Sequence, residues 1–168
     1  MTELTLKHCS VREWRPADAD SLVLHANNIK VWRNLHDAFP FPYGRADAET
    51  WIQQASPNHF AIAVDGAAVG GIGLHPGTDV HRRTATIGYW LGEAFWGRGI
   101  ATEVLCAFTK YAFATFDFVR LEAHVFEWNL ASARVLEKAG YTREARLRKR
   151  VTKEGRTVDS FLYALIRE

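Results

Sequence analysis

Tyr89-Trp90-Leu91-Gly92-Glu93-Ala94-Phe95-Trp96-Gly97-Arg98-Gly99-Ile100-Ala101-Thr102-Glu103 is the most informative stretch of the 168 residues. A strand reads through Leu91, a short loop follows, and Gly97-Arg98-Gly99-Ile100-Ala101 opens an amphipathic helix. Glycines at that point let the backbone approach a ligand without side chains in the way. The first N–H groups of a helix have no internal partner, and the helix dipole places partial positive charge there. Such a turn suits a pyrophosphate, with Arg98 adding an ion pair. A plain tight turn ahead of a helix reads equally well, and spacing alone leaves both open. The Walker loop is excluded because no Gly-Lys-Ser/Thr ending follows. A dinucleotide fingerprint fits poorly, because it belongs to the first strand–helix turn of a chain and needs an acid about 20 residues on.

Outward from this turn, the spacing of apolar residues sets the elements. Upstream, Thr5–Trp14 reads as a strand, Pro16 starts a helix through about Asn28, and Trp32–Tyr43 is an ordered loop with two prolines. Asp47 caps a short helix past Trp51 and Ile52. His59–Val64 and Ala67–Leu74 flank Asp65-Gly66, a two-residue hairpin signal, and Thr84–Leu91 is a third strand. Downstream, Ala101, Val104, Leu105, Phe108 and Ala112 share one helical face. Phe118–Phe126 is a strand, and Asn129 caps a helix that stops at Gly140. Tyr141–Thr152 and Thr157–Ile166 close as a hairpin around Lys153-Glu154-Gly155-Arg156. The order β-α-α-β-β-β-α-β-α-β-β predicts an α+β fold: a mixed, mostly antiparallel sheet of about seven strands with helices on its faces.

Composition narrows the class. The chain is 48% hydrophobic and 24% charged, enough for one core without staples, so residues 1–168 are expected to form a single domain. A net charge of +2 does not argue for nucleic acid. The run Arg146, Arg148, Lys149, Arg150 reads as a solvated strand whose charges discourage edge-to-edge pairing. Cys9 and Cys106 make neither a disulfide framework nor a metal-spaced pair, and no metal is expected. No signal peptide is visible and no run reaches the roughly 18 apolar residues of a membrane span. The expectation is a cytoplasmic protein with neither membrane nor nucleic-acid partners.

Trp96-Gly97-Arg98-Gly99-Ile100-Ala101 resembles the acetyl-CoA pyrophosphate motif of the GNAT acetyltransferase superfamily. Asn129-Leu130-Ala131-Ser132-Ala133-Arg134-Val135-Leu136-Glu137-Lys138-Ala139-Gly140-Tyr141 resembles its second motif, at the expected distance. The early loop Asn34-Leu35-His36-Asp37-Ala38-Phe39-Pro40 is similar to that of the RimJ/RimL-like branch, which acts on ribosomal-protein N-termini. The resemblance implies acetyl-CoA as donor and CoA as product. It places the pyrophosphate on the turn Trp96, Gly97, Arg98, Gly99, Ile100, Ala101 and Thr102. It implies a V-shaped splay between the fourth and fifth strands, with the pantetheine arm along Tyr89, Trp90 and Leu91 and in contact with Asn129. A homodimer is implied by the same analogy.

Acetyl transfer needs a neutral amine, which is scarce for a lysine with a pKa of about 10.4 and commoner for an α-amine near about 7.7–8.0. The family's frequent glutamate before the pyrophosphate loop is absent, since Thr84, Thr86 and Tyr89 fill that strand. Its frequent tyrosine acid is replaced by Glu137. His124 and Glu122, two residues apart on one strand face, are the candidate bases, and a structural histidine is the competing reading. Ser132 inherits by resemblance the role of proton donor to the thiolate, against a simpler role at the start of its helix. Trp32, Phe39, Tyr43, His75 and Tyr163 are candidates to line the acceptor pocket, and each reads equally as core. The expected enzyme acetylates a protein N-terminus or a small amine in a ternary complex. An acyl-CoA-binding sensor without catalysis is the alternative, supported by the absent tyrosine and glutamate.

Overall fold

The computed structural model describes residues 3–167. Its strands are β1 (Leu4–Thr5), β2 (Ser10–Arg12), β3 (His59–Val64), β4 (Ala67–Pro76), β5 (Thr84–Leu91), β6 (Arg120–Phe126), β7 (Thr142–Lys153) and β8 (Arg156–Ile166). Its helices are α1 (Ala19–Ala26), α2 (Ile29–Trp32), α3 (Arg45–Gln54), α4 (Ile100–Thr115) and α5 (Leu130–Lys138). The strands form one sheet in the order β1-β2-β3-β4-β5-β6-β8-β7. Most registered pairs are antiparallel, and β5 with β6 is parallel. The sheet has eight strands where about seven were expected, because Thr5–Trp14 is not one strand. Leu6 N–H bonds to Cys9 O at 2.9 Å, turning the chain so that β1 folds back on β2.

The described residues group into two compact units, those up to 73 with 89–104 and 74–88 with those from 105 onward. In the first, α1 buries Ala19, Leu22 and Ala26, spaced to share one helical face, against Tyr43 and Ala48. Trp14, Val23, Phe39, Ile52 and Trp90 pack around that cluster. Arg12 and Asp18 form a buried bidentate pair at 2.8 Å for each bond. Arg12 also donates to Gly66 O at 2.9 Å, and Asp18 accepts Arg15 N–H at 2.8 Å, so both charges are fully bonded. The Asp65-Gly66 turn has φ of 50° and 83°, the left-handed pair that a two-residue hairpin requires. Asp47 is not the cap of α3: the helix begins at Arg45, and the Asp47 carboxylate accepts Gly44 N–H at 2.8 Å from inside the first turn.

In the second unit Leu121, Ala123 and Val125 of β6 are buried, while Arg120, Glu122 and His124 alternate onto the other face. Asn129 caps α5, its Oδ1 accepting Ser132 N–H at 3.2 Å. Gly140, at φ 91°, ends the helix, with Gly140 N–H on Glu137 O at 3.1 Å and Tyr141 N–H on Leu136 O at 3.0 Å. The β7–β8 hairpin turns on Glu154 and Gly155, both at positive φ. Among the described residues no helix is long and apolar enough to cross a membrane.

Candidate active site

The glycine-rich turn lies in the first unit. After Leu91 a single 3-10 turn, Glu93–Phe95, leads through Trp96 to α4, which runs 16 residues. Gly97 and Gly99 stand at φ 74° and 78°, and a Cβ built on either meets nothing within 4 Å. Glycine is thus required there by backbone conformation and not by protein packing, and the space over the turn is open. Left-handed residues alternating with ordinary ones turn successive N–H groups toward a common point, an anion-binding concavity. The first bond of α4 is Glu103 N–H to Gly99 O at 3.0 Å, so the N–H groups of Ile100, Ala101 and Thr102 carry no helical bond. Arg98 stacks over the Phe95 ring at 5.1 Å and stays exposed. This donor set, with the helix dipole behind it, fits a pyrophosphate.

The loop is braced from several sides. Trp96 Nε1 donates to Leu91 O at 2.7 Å. Glu93 accepts from Asn28 Nδ2 at 2.8 Å and Lys30 Nζ at 2.5 Å, and those two bonds, that of Lys30 foremost, hold its carboxyl below the usual range. A Cβ on Gly92 would lie 2.9 Å from His25 Nδ1, and His25 itself packs edge-on to Phe95 at 5.3 Å. In the strand leading in, a Cβ on Gly70 would lie 2.4 Å from Trp90 O, so β4 and β5 approach there only because Gly70 has no side chain. Gly92 N–H donates to Val69 O at 2.8 Å.

Of the candidate acceptor-lining residues in this unit, Tyr43 is 4% exposed and belongs to the core cluster. Phe39 packs on Tyr43 at 5.0 Å and edge-on to Trp90 at 5.6 Å. Trp32 is half-buried against the exposed Phe41 at 5.6 Å. The structure therefore brings Phe39 and Tyr43 together with Trp90, one of the residues assigned to the donor arm.

The candidate bases lie in the second unit. β5 and β6 are registered over Thr84↔Arg120, Ala85↔Leu121 and Thr86↔Glu122, near the start of both strands. Beyond that ladder, His124 Nε2 lies 3.9 Å from Glu122 Oε1. Glu122 Oε2 accepts from Arg120 Nε at 2.9 Å, and Arg120 grips Glu144 with two bonds, 3.0 and 2.6 Å. Arg120 thus fixes Glu122 from one side and leaves its other oxygen toward the imidazole. Desolvation pulls the His124 pKa below its ordinary value; Glu122 acts the opposite way and Arg150 adds to the lowering. With a side chain 32% exposed, His124 is reachable by solvent and mostly neutral near pH 7.

Asn129 spends its side-chain oxygen on the α5 cap, which leaves its amide NH2 as a donor. Ser132 is half-buried in the first turn of α5. Tyr163 is 1% exposed and its hydroxyl donates to Glu137 Oε1 at 2.9 Å. His75 is exposed near the end of β4. Sequence reasoning missed the Arg120–Glu144 clamp, the Tyr163–Glu137 bond and the Glu93 brace. None carries a local spacing signal, because the partners are 24, 26 and 65 residues apart.

A family model described as an acetyltransferase (GNAT) domain matches residues 9–142. The SPbeta prophage-derived N-acetyltransferase YokL of Bacillus subtilis (strain 168) is 24% identical over 171 residues, spanning 100% of this chain and 95% of its own. YjcK of the same organism, named a probable N-acetyltransferase, is 39% identical over 117 residues, 68% of this chain and 65% of its own. Among solved structures, an acetyltransferase (GNAT family) from Bacillus anthracis has a TM-score of 0.87 at 20% identity, covering 98% of each chain. RimL, a ribosomal L7/L12 alpha-N-protein acetyltransferase solved with coenzyme A, gives 0.84 at 20% identity over 97% of this chain and 96% of its own. The microcin C7 self-immunity acetyltransferase MccE, solved with acetyl-CoA and AMP, gives 0.83 at 22% identity over 96% and 94%.

Proposed function

The chain belongs to the GNAT acetyltransferase family, and from that premise we propose that it transfers an acetyl group from acetyl-CoA to a primary amine, either a protein N-terminus or a small amine. The observation that carries this reading is the open turn at Gly97 and Gly99 on the N-terminus of α4. The coenzyme A and acetyl-CoA held by RimL and MccE support the choice of donor. In this reading Trp96 through Thr102 hold the pyrophosphate, while Tyr89, Trp90, Leu91 and Asn129 hold the pantetheine arm. Acetyl-CoA supplies a thioester whose carbonyl carbon accepts the amine nitrogen as the C–S bond breaks.

His124 removes the amine proton directly or through one water, with Glu122 stabilising the imidazolium and Arg120 keeping Glu122 in place. A backbone N–H at the end of β5 donates to the oxygen on which negative charge develops. The departing thiolate takes its proton from Ser132 or from water. Tyr163 is a poor substitute donor, because burial first, and then Glu137, raises its pKa above that of an ordinary tyrosine.

The purified protein, acetyl-CoA and a panel of N-terminal peptides, lysine peptides, polyamines and amino acids test this, with thiol release and acetylated mass read together. Turnover on α-amines with equal thiol and product supports the proposal. CoA binding with no turnover on any amine overturns it and leaves a sensor.

A further inference from the structure

The basic run of β7 separates into residues with different tasks. Arg143 stacks over the Phe161 ring at 4.9 Å. Arg146 is paired with Asp159 at 2.6 Å and approaches Glu127 at 3.4 Å. Between Leu147 and Val151 the β7–β8 register breaks, and Arg148, Lys149 and Arg150 stand out of the ladder as a bulge. Lys149 is at φ 50°, and its N–H donates to Asp159 Oδ1 at 2.8 Å. One carboxylate therefore clamps the bulge through its backbone and through Arg146 at once. A left-handed lysine held this way is a built feature, of the kind that re-aims side chains beside functional sites.

What the bulge presents is Arg150. Like that of Arg148, its side chain is exposed and, among the described residues, carries no ion pair, hydrogen bond or ring contact. The bulge lies opposite Asp159 of β8, and three residues along β8 Leu162 is the registered partner of His124, so the bulge and the candidate base flank one short stretch of β8; the charge of Arg148 falls on Asp159 and that of Arg150 on His124. A strand edge protected only by charge needs no clamp and no particular direction for either arginine.

We propose that Arg150, set out by the Asp159-clamped bulge, binds a carboxylate of the acceptor lying a few bonds from the amine that is acetylated. The acceptor is then either an amino acid with a free α-carboxylate or a peptide with Asp or Glu next to its N-terminus. Arg150 is a specificity residue that holds the amine near His124 and takes no proton itself. This inference rests on the acetyltransferase reading above and names its substrate class.

The test compares matched acceptors in steady-state assays: an amino acid against its carboxamide, and a peptide with Glu at its second position against one with Gln. A charge-assisted contact predicts at least a roughly tenfold preference in kcat/KM for one of the carboxylate members. Which pair shows it tells the amino acid from the peptide. Arg150→Gln abolishes the preference mainly by raising KM, Arg150→Lys restores part of it, and Arg148→Gln leaves it intact. Equal use of acid and amide by the unaltered protein, or equal losses in Arg150→Gln and Arg148→Gln, overturns the proposal while leaving the acetyltransferase reading standing. Absence of turnover on every amine overturns both.

Discussion

At the scale of single residues, the proposed chemistry turns on His124. Its neutral form is favoured by desolvation, which outweighs the pull of Glu122 3.9 Å away. A base of this kind is active above its own pKa and silenced below it. The acetylation rate should therefore show a lower limb beneath about 6.5, separate from the limb set by the amine near about 7.7–8.0. His124→Ala should lower kcat/KM by roughly a hundredfold or more and erase the lower limb, leaving the amine's own. Glu122→Gln removes the charge that favours the imidazolium, so the limb moves to lower pH. Arg150→Gln removes the opposing charge, so it moves up. An unchanged lower limb in His124→Ala would assign the base elsewhere. Glu122 and His124 were legible in the sequence because period-two alternation puts them on one strand face. The clamp that orients Glu122 was not, because Glu144 reaches Arg120 from another strand at a register irregularity.

At the scale of elements, the sequence declared what local chemistry enforces. β3 and β5 lie where alternation and turn residues put them, and α5 runs between its Asn129 cap and Gly140 as read. The turn at residues 7–8 and the bulge at 148–150 went unseen: Lys7, His8 and Lys149 are not turn residues by type, and the Lys149 bulge is held by a carboxylate ten residues away. The glycine turn was legible as a turn, whereas the open space above it depends on how the rest of the chain folds. Gly99 and Gly155 separate the two roles a left-handed glycine can have, since a Cβ on either meets nothing within 4 Å. Alanine at either position takes on left-handed strain of about 1–2 kcal/mol and should destabilise the fold by a similar amount. Only Gly99→Ala places a methyl where the pyrophosphate is proposed to sit. Calorimetry with CoA should show at least a roughly tenfold weaker Kd for Gly99→Ala and an unchanged one for Gly155→Ala. Equal affinities in the two variants would remove the turn from the donor site.

At the scale of the molecule, relatives near 20% identity keep this fold at TM-scores of 0.83 to 0.87. What is shared is a pattern of burial and turns, and within it the ligand adds stability of its own. Any molecule that binds only the folded chain stabilises it by RT ln(1 + [L]/Kd), about 2.7 kcal/mol at a hundredfold excess over Kd. For a chain of this size each kcal/mol raises Tm by about 2–4 °C, so saturating acetyl-CoA should raise it by roughly 5–10 °C. The gain should depend on the pyrophosphate, because the proposed donor set at Gly97–Thr102, with the positive end of a helix dipole behind it, favours an anion over a neutral group. S-acetyl-pantetheine, which keeps the thioester and the arm but lacks the pyrophosphate, should shift Tm by no more than a degree or two at the same concentration. A full shift with S-acetyl-pantetheine would locate the binding energy along the arm and leave the turn at Gly97 and Gly99 a structural one.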